Sequence, residues 1–89
     1  MQHNFQSYVA EIEKTHSVIE PHIQNTPLLN SKELDAKLGM QVFCKAENLQ
    51  VTGSFKIRGA LSAISRLTDE QLKKGVLAYS SGNHAQGVA

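Results

Sequence analysis

From Phe5 the apolar residues Tyr8, Val9, Ile12 and Ile19 recur at the spacing of one helical face, and Pro21 closes the run, because a residue before proline is pushed out of the α region. This predicts an amphipathic helix of about four turns. Thr26-Pro27-Leu28-Leu29 reads as a short extended piece, with Pro27 at a strand start or a sheet edge. Asn30 or Ser31 can cap a second helix over 31–38. Glu33 gives it first-turn negative charge, Leu34 and Leu38 share a face, and Gly39 suits the left-handed position after its end.

Residues 40–46, Met-Gln-Val-Phe-Cys-Lys-Ala, are mostly apolar and β-prone, as expected of a strand buried in a parallel sheet. A polar loop follows from Glu47 to Gly53. Ser54 can then cap a helix whose apolar stripe is Ile57, Ala60, Leu61 and Ile64. Thr68-Asp69-Glu70-Gln71 is a capping box, Lys73 and Lys74 suit a helix C-terminus, and Gly75 ends a short helix. Val76 to Tyr79 reads as another strand, after which Ser80-Ser81-Gly82-Asn83 turns into a last helix.

Strands alternating with helices predict an α/β fold, a parallel sheet with helices on both faces and right-handed crossovers. Residues 1–25 form an N-terminal helical region and 26–89 carry the strand-helix units. In such sheets ligands bind beyond the carboxyl ends of the strands. Loops 47–54 and 80–83 both leave such ends, so they are expected to face one crevice.

Composition acts mainly by exclusion. Lys+Arg 9 against Asp+Glu 8 gives a formal charge of +1, and the longest basic run is Lys73-Lys74, which offers no footprint for nucleic acid. No stretch approaches the roughly 20 apolar residues of a membrane helix. The start, Met1-Gln2-His3-Asn4-Phe5, lacks the apolar segment of a secretory signal. Cys44 is the single cysteine, has no internal disulfide partner, and on a buried strand should act as a small hydrophobe. A cytoplasmic protein is expected. An 89-residue chain buries only about 60% or slightly more of its unfolded surface, so its core should be marginal.

Among candidate chemical groups, Lys56 is the misfit. With Ser54 as cap it falls in the first helical turn, where the positive end of the macrodipole disfavours a cation. Such placement favours the free amine needed for a Schiff base or for proton abstraction; the plainer alternative is a side chain that reaches out to solvent. Ser80-Ser81-Gly82-Asn83-His84 is the second constellation. N–H groups at a helix start, a glycine that permits close approach, and Ser and Asn side chains can hold a carboxylate or phosphate, although the same residues make an ordinary cap.

Two phosphate templates fail: Gly82-x4-Gly87 is followed by Val88-Ala89 where Lys-Ser/Thr is required, and no G-x-G-x-x-G occurs. His16 and His22 straddle a proline without metal-ligand spacing, His3 sits in a terminus expected to fray, and no metal site is expected. His84 could serve as acid, base or ligand, or only bond locally. Lys45 is a rival Schiff-base lysine, but Glu47 two residues on along a strand makes an ion pair the plainer expectation.

Residues 45–60, from Lys45-Ala46-Glu47-Asn48 through Gly53-Ser54-Phe55-Lys56-Ile57-Arg58-Gly59-Ala60, together with Ser80-Ser81-Gly82-Asn83-His84-Ala85-Gln86-Gly87, resemble the threonine/serine dehydratase and serine racemase family. These are pyridoxal-phosphate enzymes of the tryptophan-synthase-β type, fold type II. The resemblance runs from about Thr15, with His16-Ser17-Val18-Ile19 and Thr26-Pro27-Leu28 in familiar places. It implies that Lys56 holds pyridoxal 5'-phosphate as a Schiff base, that Phe55 packs beside the cofactor ring and that Asn83 bonds the ring oxygen. It also implies that Ser81, Gly82, Asn83 and His84, with Ser54 nearby, hold the substrate carboxylate. The implied reaction removes the α proton through Lys56 and the β-hydroxyl of threonine or serine, giving a 2-oxo acid and ammonia. Homo-oligomers, dimers or tetramers, are implied as well.

Ser81 bears on the family member. Threonine dehydratases commonly have Ala there, whereas serine racemases and hydroxyaspartate dehydratases have Ser, which in racemase-like members can act as a second acid/base opposite the lysine. Dehydratase is the first expectation; racemase or hydroxyaspartate dehydratase is the alternative. The family's glycine-rich phosphate loop, metal ligands and pyridine-nitrogen partner come from later sequence. The chain is therefore expected to be an incomplete N-terminal portion, inactive by itself. An alternative of another class is a non-catalytic α/β module that binds an anion at 80–84.

Overall fold

The computed structural model describes residues 4–89; His3 lies outside them. The first helix, α1, spans Phe5–Ile19, and Asn4 caps it by accepting from the Ser7 N–H at 2.8 Å. The α-helical run ends ahead of Pro21, though not by displacing the residue before it: Glu20 keeps α-region angles, φ −48 and ψ −43, and the chain continues through a 3-10 turn at Glu20–His22, where the missing N–H of Pro21 is tolerated. Strand β1 is Leu28–Asn30 and α2 is Lys32–Leu38. Ser31 caps α2 through the Leu34 N–H, and Gly39 closes it at φ 67. That left-handed conformation is open to glycine without a Cβ clash.

Strand β2, Phe43–Lys45, returns beside β1. The pair is antiparallel, with Leu28 opposite Lys45, Leu29 opposite Cys44 and Asn30 opposite Phe43. One side-chain clasp turns the chain back. The Asp35 carboxylate accepts from Asn30 Nδ2 at 2.8 and 3.1 Å and from the Val42 N–H at 2.9 Å. Asn30 Nδ2 also donates to the Val42 carbonyl at 2.8 Å. These bonds hold the residues on either side of α2 together, so the strands meet head to tail.

Helix α3 is Lys56–Ser65, α4 is Asp69–Lys73 and α5 is Asn83–Val88. The capping box at Thr68 and Gln71 forms as the sequence predicts, with its two bonds at 3.1 and 2.9 Å. Helix α3 packs on α1 and more extensively on α5. Arg66 also donates to Thr15 Oγ1 across the first of these contacts. The buried apolar residues are Ile19, Ala46, Ile57 and Ala60, with Thr26, Gln50 and Ser54 buried among them. The Cα radius of gyration is 16.6 Å, against about 12 Å for a packed chain of this length.

Three expectations are corrected. The sheet among the described residues is this antiparallel pair, not a parallel sheet with helices on both faces. The 40–46 strand shortens to Phe43–Lys45 and is exposed, because no helix covers either face of a two-stranded pair; Cys44 is accordingly exposed rather than buried. Val76 to Tyr79 forms no strand, and Leu77 and Tyr79 are 97% and 100% exposed. A strand is stabilised by a neighbouring ladder and by side chains packed on its face, and this segment has neither.

Candidate active site

The approach to Lys56 is built from polar contacts. Ala46 extends the strand pair by donating to the Pro27 carbonyl at 3.0 Å. Two 3-10 turns follow, Glu47–Leu49 and Val51–Gly53. Between them the buried Gln50 side chain acts as a strand neighbour for Gln24: its Oε1 accepts from the Gln24 N–H at 2.7 Å and its Nε2 donates to the Gln24 carbonyl at 2.9 Å. Thr52 and Gly53 then take φ 69 and φ 77 in succession. For β-branched Thr52 that conformation costs on the order of 1–3 kcal/mol, held in place by the surrounding bonds.

This reversal buries Ser54, whose Oγ accepts from the Lys56 N–H at 3.4 Å. Phe55 occupies the position before α3, and Lys56 is its first residue, in the first turn as expected. The Lys56 side chain is exposed, with Nζ 5.3 Å from the centroid of the Phe55 ring, within cation–π range.

Helix α5 comes against this turn through Gly87, which is buried. A Cβ there would lie 3.2 Å from the carbonyl oxygen of Lys56 and from the N of Ile57. The packing brings His84 to the same cleft as Lys56. That cleft, about 400 Å³ and open to solvent, is lined by Phe55, Lys56, Arg58, Gly59, Ala60 and His84. The residues that follow the two loops, Phe55 and Lys56 after the first and His84 after the second, meet here through helix packing, but no residue of 47–54 or 80–83 lines the cleft.

Ser80, not Ser81, organises the second loop. Its Oγ accepts from the N–H groups of Gly82 and Ala85 at 3.1 and 2.9 Å. Ser81, Asn83 and His84 are left exposed, and the N–H groups of Asn83 and His84 have no partner among the described residues. Of the site residues named from sequence, Phe55, Lys56 and His84 share the cleft. Ser54 lies buried behind Lys56, and Ser81, Gly82 and Asn83 stand in the loop that enters α5, outside the cleft lining.

Glu47 does not pair with Lys45. Lys45 Nζ donates to the Thr26 carbonyl at 3.1 Å, and Glu47 is held by Arg58, whose Nε meets Oε1 and whose Nη2 reaches Oε2 at 3.3 Å. Thr26 Oγ1 and Gln50 Nε2 also donate to Oε2, at 2.5 and 3.4 Å. The Arg58 hydrogen bond foremost, with the Thr26 bond, the Arg58 charge and the Gln50 bond, lowers the Glu47 pKa from 4.5 to about 2 against the opposing effect of burial. Sequence reasoning missed this cluster, and it named Ser80 within the 80–84 constellation without giving it the bonds to Gly82 and Ala85. The signal open to it was Arg58, a second cation two residues after Lys56 without a nearby acid on its own helix.

Residues 19–89 match the sequence model of the family described as pyridoxal-phosphate dependent enzyme. An L-threo-3-hydroxyaspartate ammonia-lyase of a Pseudomonas species is 58% identical over 71 residues, 80% of this chain and 22% of that enzyme. A catabolic L-threonine dehydratase of Staphylococcus aureus strain USA300 is 51% identical over 82 residues, 91% of this chain and 24% of that enzyme. The solved structure of a serine racemase from Dictyostelium discoideum aligns with a TM-score of 0.84 at 45% identity, covering 90% of this chain and 26% of its own. The chain thus spans about a quarter of the length of these relatives.

Proposed function

The chain belongs to the pyridoxal-phosphate dependent enzyme family, and we propose that it supplies the cofactor lysine of an ammonia-lyase acting on L-threonine or L-serine. The observation that carries this reading is the cleft in which Lys56, at the start of α3, meets Phe55 and His84. An exposed primary amine beside an aromatic face fits the aldehyde and ring of pyridoxal 5'-phosphate. Lys56 would bind it covalently, Phe55 would lie beside the ring, and Asn83 would donate to the ring oxygen.

When bound, the cofactor supplies an electron sink for the pair left when the α C–H bond breaks. The Lys56 amine receives that proton. The N–H groups of Asn83 and His84, with Ser81 and Gly82 beside them and Ser54 behind, hold the substrate carboxylate and so fix which Cα–H bond faces Lys56. Overall the substrate would lose its α hydrogen and β-hydroxyl together as one water and take up one water on hydrolysis, leaving a 2-oxo acid and ammonia. The reading carries with it the homo-oligomer that the sequence resemblance implies and the cytoplasmic location expected from the lack of a secretory signal.

A second reading is supported by Ser81, exposed in the loop that leads into α5. With a hydroxyl there, the same site suits serine racemisation or the dehydration of 3-hydroxyaspartate, the substrate in the name of the Pseudomonas relative. The test follows 2-oxo acid, ammonia and D-serine formed by the native protein from L-threonine, L-serine and 3-hydroxyaspartate, with visible absorption of bound cofactor recorded. Lys56→Ala should lose both absorption and turnover. Retention of both would sink the reading, and carboxylate binding without any chromophore in the native protein would favour the anion-binding module.

A further inference from the structure

We propose that Glu47 and Arg58 are positioning residues for Lys56: their ion pair sets the rotation of α3 about its axis and so aims the Lys56 amine into the cleft it shares with His84. The inference rests on the reading of Lys56 as the cofactor lysine. It deepens that reading by saying what keeps the amine in place.

Arg58 follows Lys56 by two residues, about 200° around a helix. A restraint on the Arg58 side therefore governs where Lys56 points. Other polar restraints on this turn are slight: Phe55, the residue before α3, makes no side-chain capping bond, and the Ser54 bond to the Lys56 N–H is long at 3.4 Å. The ion pair is two-pronged, through Nε and Nη2, and so fixes direction as well as distance. Its anchor is itself held. Thr26 and Gln50, both 5% exposed, donate to Glu47, and Gln50 is tied in turn to the backbone of Gln24. The pair is only partly exposed, 27% for the Arg58 side chain and 16% for Glu47, so solvent weakens it less than a surface pair. α3 is thus pinned from one side by Glu47, which is itself braced by Thr26, and from the other by Gly87.

The test reads the position of the amine without the cofactor. Reductive methylation of the chain with 13C-formaldehyde keeps the positive charge and gives each lysine its own dimethyl signal. The Lys56 signal should be displaced by the Phe55 ring current. In Glu47→Gln it should move to the position of a solvated lysine such as Lys73, and its methylation rate should change at least threefold while that of Lys73 holds. Arg58→Lys, which keeps charge but loses the fork, should do the same and decides the matter if Glu47→Gln does not fold. An unmoved Lys56 signal and rate in a folded variant overturn the proposal. So does a uniform change at every lysine, since that reports loss of the fold and not of aim. A parallel borohydride trap with pyridoxal 5'-phosphate on the wild-type chain tests the cofactor reading separately: no preference for Lys56 over Lys73 sinks that reading, while the methylation result stands by itself.

Discussion

Gly87 of α5 rests against the Lys56 carbonyl of α3 so closely that a methyl group would fit only if the backbone gave by a few tenths of an ångström: a Cβ at 87 would stand 3.2 Å from three backbone atoms of Lys56 and Ile57. Backbone atoms at a helix start cannot swing aside as a flexible side chain can. The contact between the two halves of the site therefore depends on the absence of a side chain.

Gly87→Ala should lower stability by about 1 kcal/mol, the overpacking penalty exceeding a helix-propensity gain of up to about 1 kcal/mol. Gly59→Ala is the matched control, since Gly59 lies within α3 and a Cβ there meets nothing within 4 Å. It should raise stability by about 0.5–1 kcal/mol. Thermal melts of the two variants should move in opposite directions, and a shared direction would refute the packing argument.

The Glu47 carboxyl predicts an acid limb. Its folded pKa of about 2 lies below the ordinary 4.5, so its contribution is complete above about pH 4.5 and disappears as pH falls toward 2. At about 1.4 kcal/mol per pKa unit the full shift corresponds to about 3.5 kcal/mol, an upper bound that solvent around the partly exposed pair reduces to about 1–2 kcal/mol. Urea titrations from pH 6 to pH 2 should show this slope in the wild-type chain and a shallower one in Glu47→Gln.

Ser80 and Ser81 should separate structure from chemistry. Ser80→Ala removes the acceptor for two N–H groups and should cost about 1 kcal/mol, with faster hydrogen exchange at Gly82 and Ala85. Ser81→Ala touches no hydrogen bond among the described residues and should leave melting unchanged. In the native protein it should shift any racemisation relative to elimination. Equal stability losses in the two variants would contradict the assignment.

Mixed with pyridoxal 5'-phosphate and L-threonine or L-serine, the 89-residue chain by itself should release no 2-oxo acid. A coupled assay with lactate dehydrogenase measures this directly, and sustained release from the isolated chain would show that Lys56 and its neighbours suffice.

Local rules made much of this legible. Ser31, Gly39, Thr68 and Gln71 act through bonds within one turn of themselves, so their roles follow from spacing. Lys56 does fall in a first turn, but the Ser54 cap that predicts this does not form: Phe55 holds the cap position without a side-chain bond, and among the described residues Ser54 Oγ meets only the Lys56 N–H, at 3.4 Å. The strands were less legible because a strand needs a partner that its own residues do not name: Val76 to Tyr79 has the right composition and no ladder. The Lys45 and Glu47 expectation failed on the same ground, since a same-side pairing assumes a strand that runs through Glu47, and β2 ends at Lys45. The contacts that aim Lys56 join residues 24 with 50 and 47 with 58, and no periodicity encodes them.

A two-stranded ladder whose outer edges both lack neighbours among the described residues is a template for a third strand from another molecule. Here the template displays Leu28, Leu29 and Phe43, each more than half exposed, and the thiol of Cys44 among them. Concentrating the chain should therefore favour intermolecular strand addition, and oxygen, by taking two electrons from a pair of Cys44 thiols, should then link neighbouring molecules. Dilution and a reductant act on two different stages of the same aggregation route, the first on pairing and the second on its covalent locking.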